Sequence, residues 1–549
     1  MTLTTIDQMV RAHLGSSHPA ILFDDERHTW DEHARASAAR AQLALDLRHP
    51  GPFHIGFLFE NIPELSFWLG AGAVSGAAMV GINPTRQGAE LAHDIRHTDC
   101  QLIVTESRLV HLLDGLDTGV PPDRVLVVDS PEYRALLAPY EGAPFPDVDI
   151  PPEQPLVFMF TSGTTGAPKA AIIGHGRLAA FSNRARAGLD SSSVCYSAMP
   201  MFHSNALFTT WGPAVCVGAT MALRRRFSAS AFLDDVRRYG ATNFNYVGKP
   251  LTYILATPER PDDADNTLVR VGGNEAAERD IQRFSERFGV PVVDGYGSTE
   301  GGVTIMREPG QPKGALGRAP EGVEILDPET GAPCPVAEFD ADGRLVNADV
   351  AIGEIVNKLG GATFEGYYKN DEANERRSRN GWYWSGDLGY RDRDGWVYFG
   401  GRDFEWLRVD GENFAAAPVE RILAEYPGVV LAAVYAVPDP EVGDQVMAAL
   451  HLADPGAFDA ARFDAFLAAQ PDLGTKWSPR FVRACTGLPM TETAKVLKRP
   501  LRAERWECDD PVWWRPTKDA PLERLDAAGI ESLRRAFEER GRLGELDKV

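Results

Sequence analysis

Apolar runs of strand length alternate with longer helix-like segments through the first half of the chain. These runs lie at residues 54–59, 101–104, 155–160, 194–199 and 289–293. Such alternation is typical of βαβ units, in which helices cover parallel strands. The pattern therefore predicts an α/β fold built on mostly parallel sheets.

The pattern changes after residue 322, where short strands with close turns occur at 323–326, 353–356 and 395–399. We predict a small β-rich layer there, within a large domain over residues 1–401. Residues 402–505 carry their own strand and helix, at 429–437 and 460–469, and are predicted to form a small α+β C-terminal domain. In the remaining extension, 506–549, Leu525, Ile530, Leu533 and Phe537 repeat at helical spacing.

The most apolar segment, residues 67–82, has the pattern of a buried helix that runs into a strand. Its 16 residues, rich in Gly and Ala, fall short of the roughly 20 apolar residues that a membrane span requires. The first seven residues lack the basic region and apolar core of a secretory signal. We therefore expect a soluble, cytoplasmic protein, with peripheral membrane contact and homodimerisation left open.

Composition and charge exclude several classes of function. The chain has 549 residues, with 56 Lys and Arg against 78 Asp and Glu, a net charge of −22. A general nucleic-acid surface needs a basic face, so nucleic-acid binding is not expected. The six cysteines are widely spaced, so we predict free thiols rather than a zinc site or a disulfide framework. Only 10 of the basic residues are lysines, which makes a lysine inside a motif informative.

The strongest local signal is the nonapeptide Thr-Ser-Gly-Thr-Thr-Gly-Ala-Pro-Lys at 161–169, directly after an apolar run. Glycines allow the backbone to approach phosphates closely, hydroxyl groups and N–H groups donate to them, and Lys supplies positive charge. The spacing is not that of a Walker A loop. From composition alone, a flexible loop without a ligand is an equal alternative.

Three further signals occur later in the chain. The stretch 294–302 contains Tyr-Gly-Ser-Thr-Glu, in which the ring can pack on a base and the carboxylate can bind Mg²⁺. Ser-Gly-Asp at 385–387, followed by Arg402, can hold two ribose hydroxyls. The last signal is Thr-Glu-Thr-Ala-Lys at 491–495. Taken singly, 294–302 is better explained as a turn with a capping Ser or Thr, and the lone lysine of 491–495 as a solvated charge.

In their order and in their residues, these four motifs resemble those of the adenylate-forming superfamily, which comprises acyl-CoA synthetases, luciferases and peptide-synthetase adenylation domains. The resemblance runs from about Phe57 to Pro500. Segments 61–64 and 245–248 and the tail after Lys495 look most like the branch of fatty-acid transport proteins and very-long-chain acyl-CoA synthetases. The resemblance implies a large AMP-binding domain followed by a small mobile domain that carries a catalytic lysine.

The resemblance also implies a two-step ligase reaction that uses ATP, Mg²⁺ and CoA. A carboxylic acid reacts with ATP to give an acyl-adenylate and pyrophosphate, and CoA then displaces AMP. The β- and γ-phosphates are assigned to Thr161, Ser162, Gly163, Thr164, Thr165, Gly166 and Lys169. The adenine pocket is assigned to Gly273, Asn274, Glu275, Gly295 and Tyr296, and the ribose to Asp387 and Arg402. The reacting groups are assigned to Glu300 for Mg²⁺, Thr299 for the α-phosphate, His203 beside the acid, and Lys495 as the catalytic lysine.

The chain departs from the family pattern at two positions. Glu405 stands where the hinge usually has Asp, and Ala494 stands where a Gly usually precedes the catalytic lysine. Both changes bear on how the small domain rotates, because Ala restricts the backbone more than Gly does. Lys498 is the alternative if Lys495 is not the catalytic lysine.

The acyl pocket is expected to be lined by segments 202–211, 244–247 and 301–303, which are largely apolar. The predicted substrate is therefore a fatty acid or the acid side chain of a sterol. Three alternatives stay open: an adenylation unit that loads a separate carrier protein, a non-catalytic binding homologue, and a luciferase-like oxygenase. Only 17 residues follow Ser532, too few for a carrier domain in the tail itself.

Overall fold

The structure is a computed structural model that describes residues 3–161, 169–340, 345–402, 406–409, 412–440, 444–470, 473, 477–490, 496–517 and 520–546. The chain divides into two compact units. The first comprises Met1–Gly302 and Gly361–Ser378, and the second comprises Val303–Gly360 and Arg379–Val549. The domain bounds predicted from the sequence, 1–401, 402–505 and 506–549, stay a prediction.

The first unit contains strands β1 to β13 and most of the helices. Its strands are β1 (Pro19–Phe23), β2 (Glu26–Thr29), β3 (His54–Leu58), β4 (Ala78–Gly81), β5 (Cys100–Thr105), β6 (Val125–Val127), β7 (Pro155–Thr161), β8 (Lys169–Gly174), β9 (Val194–Ser197), β10 (Thr220–Leu223), β11 (Asn243–Val247), β12 (Arg270–Asn274) and β13 (Val292–Gly297). Its helices are α1 (Ile6–Arg11), α2 (Trp30–Asp46), α3 (Pro63–Ser75), α4 (Gly88–His97), α5 (Pro131–Leu137), α6 (His175–Arg184), α7 (Ser204–Ala206), α8 (Gly212–Val217), α9 (Phe232–Tyr239), α10 (Pro250–Leu255), α11 (Glu278–Phe288) and, after α12 of the second unit, α13 (Asp371–Arg377).

Two sheets organise the first unit. One has the order β6–β5–β3–β4–β7–β8 and the other the order β13–β12–β11–β9–β10–β1–β2. Neighbouring strands are parallel except at one edge of each sheet, where β8 runs antiparallel to β7 and β2 antiparallel to β1. Ile55, Phe57 and Val80 are buried because helices cover such sheets. These sheets confirm the predicted α/β class, and α3 runs into β4 as expected.

A buried asparagine ties the two sheets together just beyond β3. The Asn61 amide donates to the carbonyl of Met199 at 2.8 Å, and its oxygen accepts from the backbone N–H of Met201 at 2.9 Å. Close by, the Arg225 guanidinium pairs with the buried carboxylates of Glu60 and Glu106. The loop after β9 is therefore held at the carboxyl end of β3.

The second unit contains an antiparallel layer and a separate C-terminal sheet. Its strands are β14 (Thr304–Met306), β15 (Ala315–Arg318), β16 (Val323–Leu326), β17 (Gly353–Asn357), β18 (Ser378–Arg379), β19 (Trp382–Arg391), β20 (Trp396–Arg402), β21 (Trp406–Val409), β22 (Glu412–Ala415), β23 (Val429–Pro438), β24 (Asp444–Leu452), β25 (Phe481–Cys485), β26 (Val512–Trp514) and β27 (Glu523–Arg524). Its helices are α12 (Ala348–Ala351), α14 (Ala416–Leu423), α15 (Ala460–Ala468), α16 (Lys498–Glu504) and α17 (Ala527–Glu539).

The antiparallel layer has the order β15–β20–β19–β17–β16, and the C-terminal sheet the order β23–β24–β25–β26–β27. The layer confirms the β-rich segment that was predicted after residue 322. Strand β23 and helix α15 lie where the sequence predicts them, and α17 buries Leu533 and Phe537 on one face.

Two expectations about the whole chain can be checked on the structure. All six cysteines have free thiols in the structure. Within the described ranges, no helix combines the length and apolar character needed to cross a bilayer.

A buried ion pair joins α2 to α3. The Arg40 guanidinium donates twice to the Glu64 carboxylate, at 2.6 Å to each oxygen, and the Tyr133 hydroxyl donates to the same carboxylate at 2.6 Å. The Arg40 side chain is 9% exposed and that of Glu64 16% exposed. Such a pair adds little over apolar packing, but removing one partner leaves an uncompensated buried charge.

We expect Glu64→Gln to lower the free energy of unfolding by about 3–5 kcal/mol, because Arg40 is left without its counter-charge. Urea unfolding followed by circular dichroism measures this. The control is Arg35→Gln, on α2 like Arg40. Arg35 pairs with Asp31, but its side chain is 55% exposed. The control should leave the unfolding midpoint in place, and an equal loss in both variants would contradict the assignment.

Candidate active site

The predicted site residues of the first unit gather at the carboxyl ends of its parallel strands. Thr161 ends β7, Asn274 ends β12, and Gly295 and Tyr296 are among the last three residues of β13. Ligands of open α/β sheets bind at this edge, because the loops that follow the strands meet there. The segment 298–302 follows β13 directly and carries Thr299 and Glu300.

Glu300 lies at the centre of this edge and is only 7% exposed. Its Oε1 accepts a hydrogen bond from the Thr161 hydroxyl at 3.3 Å and one from the Tyr367 hydroxyl at 2.6 Å. Tyr367 reaches the site because its backbone pairs with that of Ala171 on the edge strand β8. The carboxylate is therefore oriented by two hydroxyl groups from distant parts of the chain.

Positive charge surrounds this carboxylate. The buried Lys169 Nζ lies 5.5 Å from the centroid of the Tyr367 ring, and Arg377 Nε donates to the Tyr367 hydroxyl at 3.3 Å. Burial by itself raises the pKa of Glu300, but Arg377 and the hydrogen bonds from Tyr367 and Ser298 outweigh it and hold the pKa below its ordinary value. Burial, followed by Arg377 and Arg376, lowers the pKa of Lys169. Such a concentration of cations is suited to a polyphosphate.

The same residues fit a magnesium ion. In nucleotide sites Mg²⁺ takes one or two protein carboxylates and completes its shell with phosphate oxygens and waters. Glu300 offers one ionised carboxylate, and the Thr161 hydroxyl lies 3.3 Å from it. The donor set is made of hard oxygen atoms, as this ion requires.

Thr299 is held from two sides. Its hydroxyl lies 2.7 Å from the hydroxyl of Ser204, and its carbonyl accepts from the Arg177 guanidinium. The guanidinium also stacks on the Phe208 ring, 5.1 Å from its centroid. Gly301, at φ +71°, lies against this guanidinium so closely that a Cβ would lie 2.3 Å from Arg177 Nη2. The turn that carries Thr299 therefore cannot move independently of α6.

The residues predicted to form the adenine pocket lie at the ends of β12 and β13, where side-chain hydrogen bonds hold the two strands in place. Asn274 Nδ2 donates to the carbonyl of Gly295 at 2.7 Å, and the Tyr246 hydroxyl donates to Asp294 at 2.7 Å. A Cβ on Gly273 would lie 2.5 Å from the Tyr246 carbonyl, so only glycine fits there. Glu275 has a positive φ of 67°, an unusual backbone conformation for this residue type.

The predicted ribose residues belong to the second unit and are described within it. Asp387 on β19 pairs in register with Arg402 on β20, and Asp387 is 5% exposed. Gly386, on the same strand, has φ +68° and donates its N–H to Glu354 at 2.6 Å. For Arg402 the backbone is described and the side chain is not.

Several predicted residues lie outside the described residues. They are Ser162, Gly163, Thr164, Thr165, Gly166, Glu405 and Lys495. His203 is described: it is partly buried, and its ring lies against that of Phe202 with the centroids 4.5 Å apart. The roles assigned to all of these residues stay predictions.

The structure adds three residues that the sequence did not predict: Tyr367, Arg377 and Arg177. It also brings Ser204, from the predicted acyl segment 202–211, against Thr299. Arg177 leaves a signal, because a basic residue in the first turn of a helix is unfavourable to the helix dipole and needs another reason. Tyr367 and Arg377 leave none, since they reach Glu300 only through the pairing of their segment with β8.

Comparisons with known proteins identify relatives of this chain. A family profile described as AMP-binding enzyme matches residues 10–368, and one described as AMP-binding enzyme C-terminal domain matches residues 418–495. A steroid-22-oyl-CoA synthetase of Rhodococcus jostii is 52% identical over 93% of this chain and 93% of its own length. A medium/long-chain-fatty-acid–CoA ligase of Mycobacterium marinum, FadD17, is 48% identical over 91% of this chain and 95% of its own length.

More distant relatives support the same grouping. The human long-chain fatty acid transport protein 5 is 29% identical over 86% of this chain and 73% of its own length. The crystal structure of ATP-bound MatB from Rhodopseudomonas palustris superposes with a TM-score of 0.78, at 22% identity, over 91% of this chain and 98% of that chain. At this identity the match concerns the fold, and it confirms the predicted fold class.

We expect Tyr367→Phe to raise the KM for MgATP or lower kcat/KM by about tenfold to a hundredfold. One hydrogen bond to a charged group contributes about 1.5–3 kcal/mol, which corresponds to that range. The matched control is Tyr368→Phe, which also removes one hydroxyl, but one that donates to Asp99 at 2.5 Å. ATP-dependent pyrophosphate release measures both variants, and equal losses would show that Tyr367 has no particular role at Glu300.

Proposed function

The chain belongs to the AMP-binding enzyme family and is an ATP-dependent acyl-CoA ligase, and on this premise we propose how its residues act and which acid they take. The observation that carries the assignment is the buried Glu300 carboxylate, oriented by Thr161 and Tyr367 and faced by Lys169 and Arg377. A non-catalytic binding homologue would be expected to lack one of Lys169, Glu300, Asp387 and Lys495, and the chain has all four.

In the first step a carboxylate oxygen of the acid bonds to the α-phosphorus of ATP. The bond from that phosphorus to the bridging oxygen breaks, and pyrophosphate leaves with the bonding electrons. In the second step the sulfur of CoA bonds to the acyl carbon and the thiol proton passes to solvent. The bond from that carbon to the phosphate oxygen breaks, and AMP leaves with the bonding electrons. The products are an acyl-CoA thioester, AMP and pyrophosphate.

The difficulty of the first step is that both reactants are anions. At 4 Å two like charges repel by about 4 kcal/mol at an effective dielectric constant of roughly 20, and more in a dry site. Lys169 and Arg377 offset this repulsion at the pyrophosphate end, and they do so at fixed positions. A magnesium ion on Glu300 supplies further positive charge to the phosphates when it is bound.

The remaining residues position the reactants. Thr299, held by Ser204 and Arg177, offers its hydroxyl to the α-phosphate. Tyr296 packs against adenine, and Asp387 with Arg402 holds the ribose. Lys495 bridges the acid and the α-phosphate as a compact charge on a flexible stem. Because ATP and CoA are cytoplasmic metabolites, we place the reaction in the cytoplasm.

The acid is apolar, and we propose the acid side chain of a steroid as the preferred substrate. The support is the 52% identity to a protein named as a steroid-22-oyl-CoA synthetase. The predicted acyl segments include Phe208 and Val247, which are partly exposed beside buried neighbours and so offer apolar surface. A medium-length or long fatty acid is the competing substrate, since a relative of 48% identity is named for it.

We expect Lys495→Ala to lose formation of the adenylate while keeping thioester formation from supplied acyl-adenylate and CoA. The reason is that the lysine charge offsets repulsion only in the first step. Lys498→Ala is the control, because Lys498 Nζ pairs with Glu420 at 2.8 Å and should be dispensable for adenylation. Pyrophosphate release and thioester yield, measured separately, distinguish the steps. Equal loss of both in Lys495→Ala would exclude the assigned role.

A screen of acids tests the proposed substrate. With Mg²⁺, ATP and CoA, we expect the highest kcat/KM for steroid acids with a short carboxylated side chain, and measurable turnover of medium and long fatty acids. Pyrophosphate release and CoA-thioester formation are followed together. A preference for short aliphatic or amino acids would contradict the proposal, and release of pyrophosphate without thioester would point to another acceptor, such as a carrier protein.

A further inference from the structure

The helical stretch from Ser204 to Val217 is interrupted in its middle. Helix α7 passes into a π-helical turn over Leu207–Trp211, and α8 begins at Gly212. The backbone N–H of Gly212 donates to the carbonyl of Leu207, five residues earlier, instead of four. Such turns are rare, and they occur frequently at functional sites.

Pro213 explains the interruption. In a regular α-helix the carbonyl of Thr209 accepts from the N–H of residue 213, and proline has no N–H to offer. That carbonyl instead accepts from Asn245 Nδ2 at 2.9 Å. Asn245 lies on β11, where asparagine is disfavoured as a strand former, so its presence there needs a reason beyond the strand itself.

Other contacts prevent the turn from relaxing. The Thr209 hydroxyl donates back to the carbonyl of Asn205 at 2.7 Å, a bond that bends helices. On the opposite side Gly212 lies against α6, where a Cβ would be 2.6 Å from the Ser182 hydroxyl. The irregular turn is therefore clamped between α6 and β11.

The clamp decides which side chains the turn exposes. Leu207, Thr210 and Trp211 are buried, whereas Phe208 and Thr209 are partly exposed, as is Asn245. Phe208 lies edge-on to Phe181, with the ring centroids 5.2 Å apart, and under the Arg177 guanidinium that binds the Thr299 carbonyl. The exposed side of the turn therefore joins two of the segments predicted to line the acyl pocket, and it adjoins Thr299.

We propose that Asn245 is a positioning residue for the acid: it holds the turn 207–211 in the register that presents Phe208 and Thr209 to the acyl chain, and so determines which acids are accepted. The inference rests on the proposed acyl-CoA ligase function and concerns the acid alone. In a regular helix each residue turns by about 100°, so loss of the extra residue in the turn would rotate Phe208 and Thr209 away from their positions.

The test uses the full-length chain with the exchanges Asn245→Leu and Pro213→Ala, alone and combined. Asn245→Leu keeps the shape of the side chain and removes the donor. We expect at least a tenfold change in the ratio of kcat/KM for a steroid acid to that for a linear fatty acid, with the KM for MgATP within twofold of wild type. Pro213→Ala restores an N–H and should also shift the ratio. In the Pro213→Ala variant, adding Asn245→Leu should change this ratio by less than a further threefold, because the N–H of residue 213 then binds the Thr209 carbonyl.

The control is Asn266→Leu. Asn266 also donates to backbone carbonyls, that of Asp263 at 2.8 Å and that of Phe288, the last residue of α11, at 2.9 Å. It should lower the melting temperature without changing acid selectivity. An unchanged ratio in both Asn245→Leu and Pro213→Ala would overturn the proposal, as would an equal rise in the KM for MgATP and for the acid. If Asn245→Leu fails to fold, the ratio measured for Pro213→Ala alone tests the proposal. A wild-type protein that activates neither acid would contradict the proposed function and not the positioning role of Asn245.

Discussion

One buried carboxylate, that of Glu300, has to stay ionised inside the first unit, and the surrounding structure is arranged around this requirement. Burial opposes its charge, so the charge persists only because Arg377, the Tyr367 hydroxyl and Ser298 compensate it. These groups come from separate segments that meet only at the carboxyl ends of the parallel strands. The sheet topology is therefore what makes the electrostatics of the site achievable.

The same requirement reconciles the global and the local charge. A net charge of −22 excludes a broad basic surface, yet the substrates of the ligase are all anions. The cations proposed to meet them are few and held at fixed positions: the buried Lys169 lies over the Tyr367 ring, and Arg377 donates to the Tyr367 hydroxyl. Cations fixed in a site of low dielectric act strongly over a short range. The negative charge of the exterior, screened by salt, therefore weakens their attraction for the substrate anions only a little.

Much of the fold could be predicted from the sequence because its signals are local. The strand periodicity places β3, β5 and β7. The motifs identify Thr161 at the end of β7, Lys169 at the start of β8 and Glu300 just after β13. Tyr367 could not be predicted, because it lies 67 residues from Glu300 along the chain and meets it through an edge-strand pairing that no local pattern encodes. Arg177 is an intermediate case, since its position against the helix dipole signals a constraint without identifying Thr299 as its partner.

Several departures from local rules lie at this one edge of the first unit. Glu275 adopts a positive φ, Gly301 leaves room for a guanidinium, Arg177 opposes its helix dipole, and Pro213 breaks a helix whose freed carbonyl Asn245 then binds. Sequences that fold reliably are consistent between local preference and fold, and they depart from this consistency where function requires it. The helix break belongs with the other departures, since it adjoins the Thr299 segment and its freed carbonyl is bound by a polar side chain from a strand. The contrast with α3, regular and fully packed behind β3 and β4, supports a division between an edge that recognises substrate and a core that holds the edge in place.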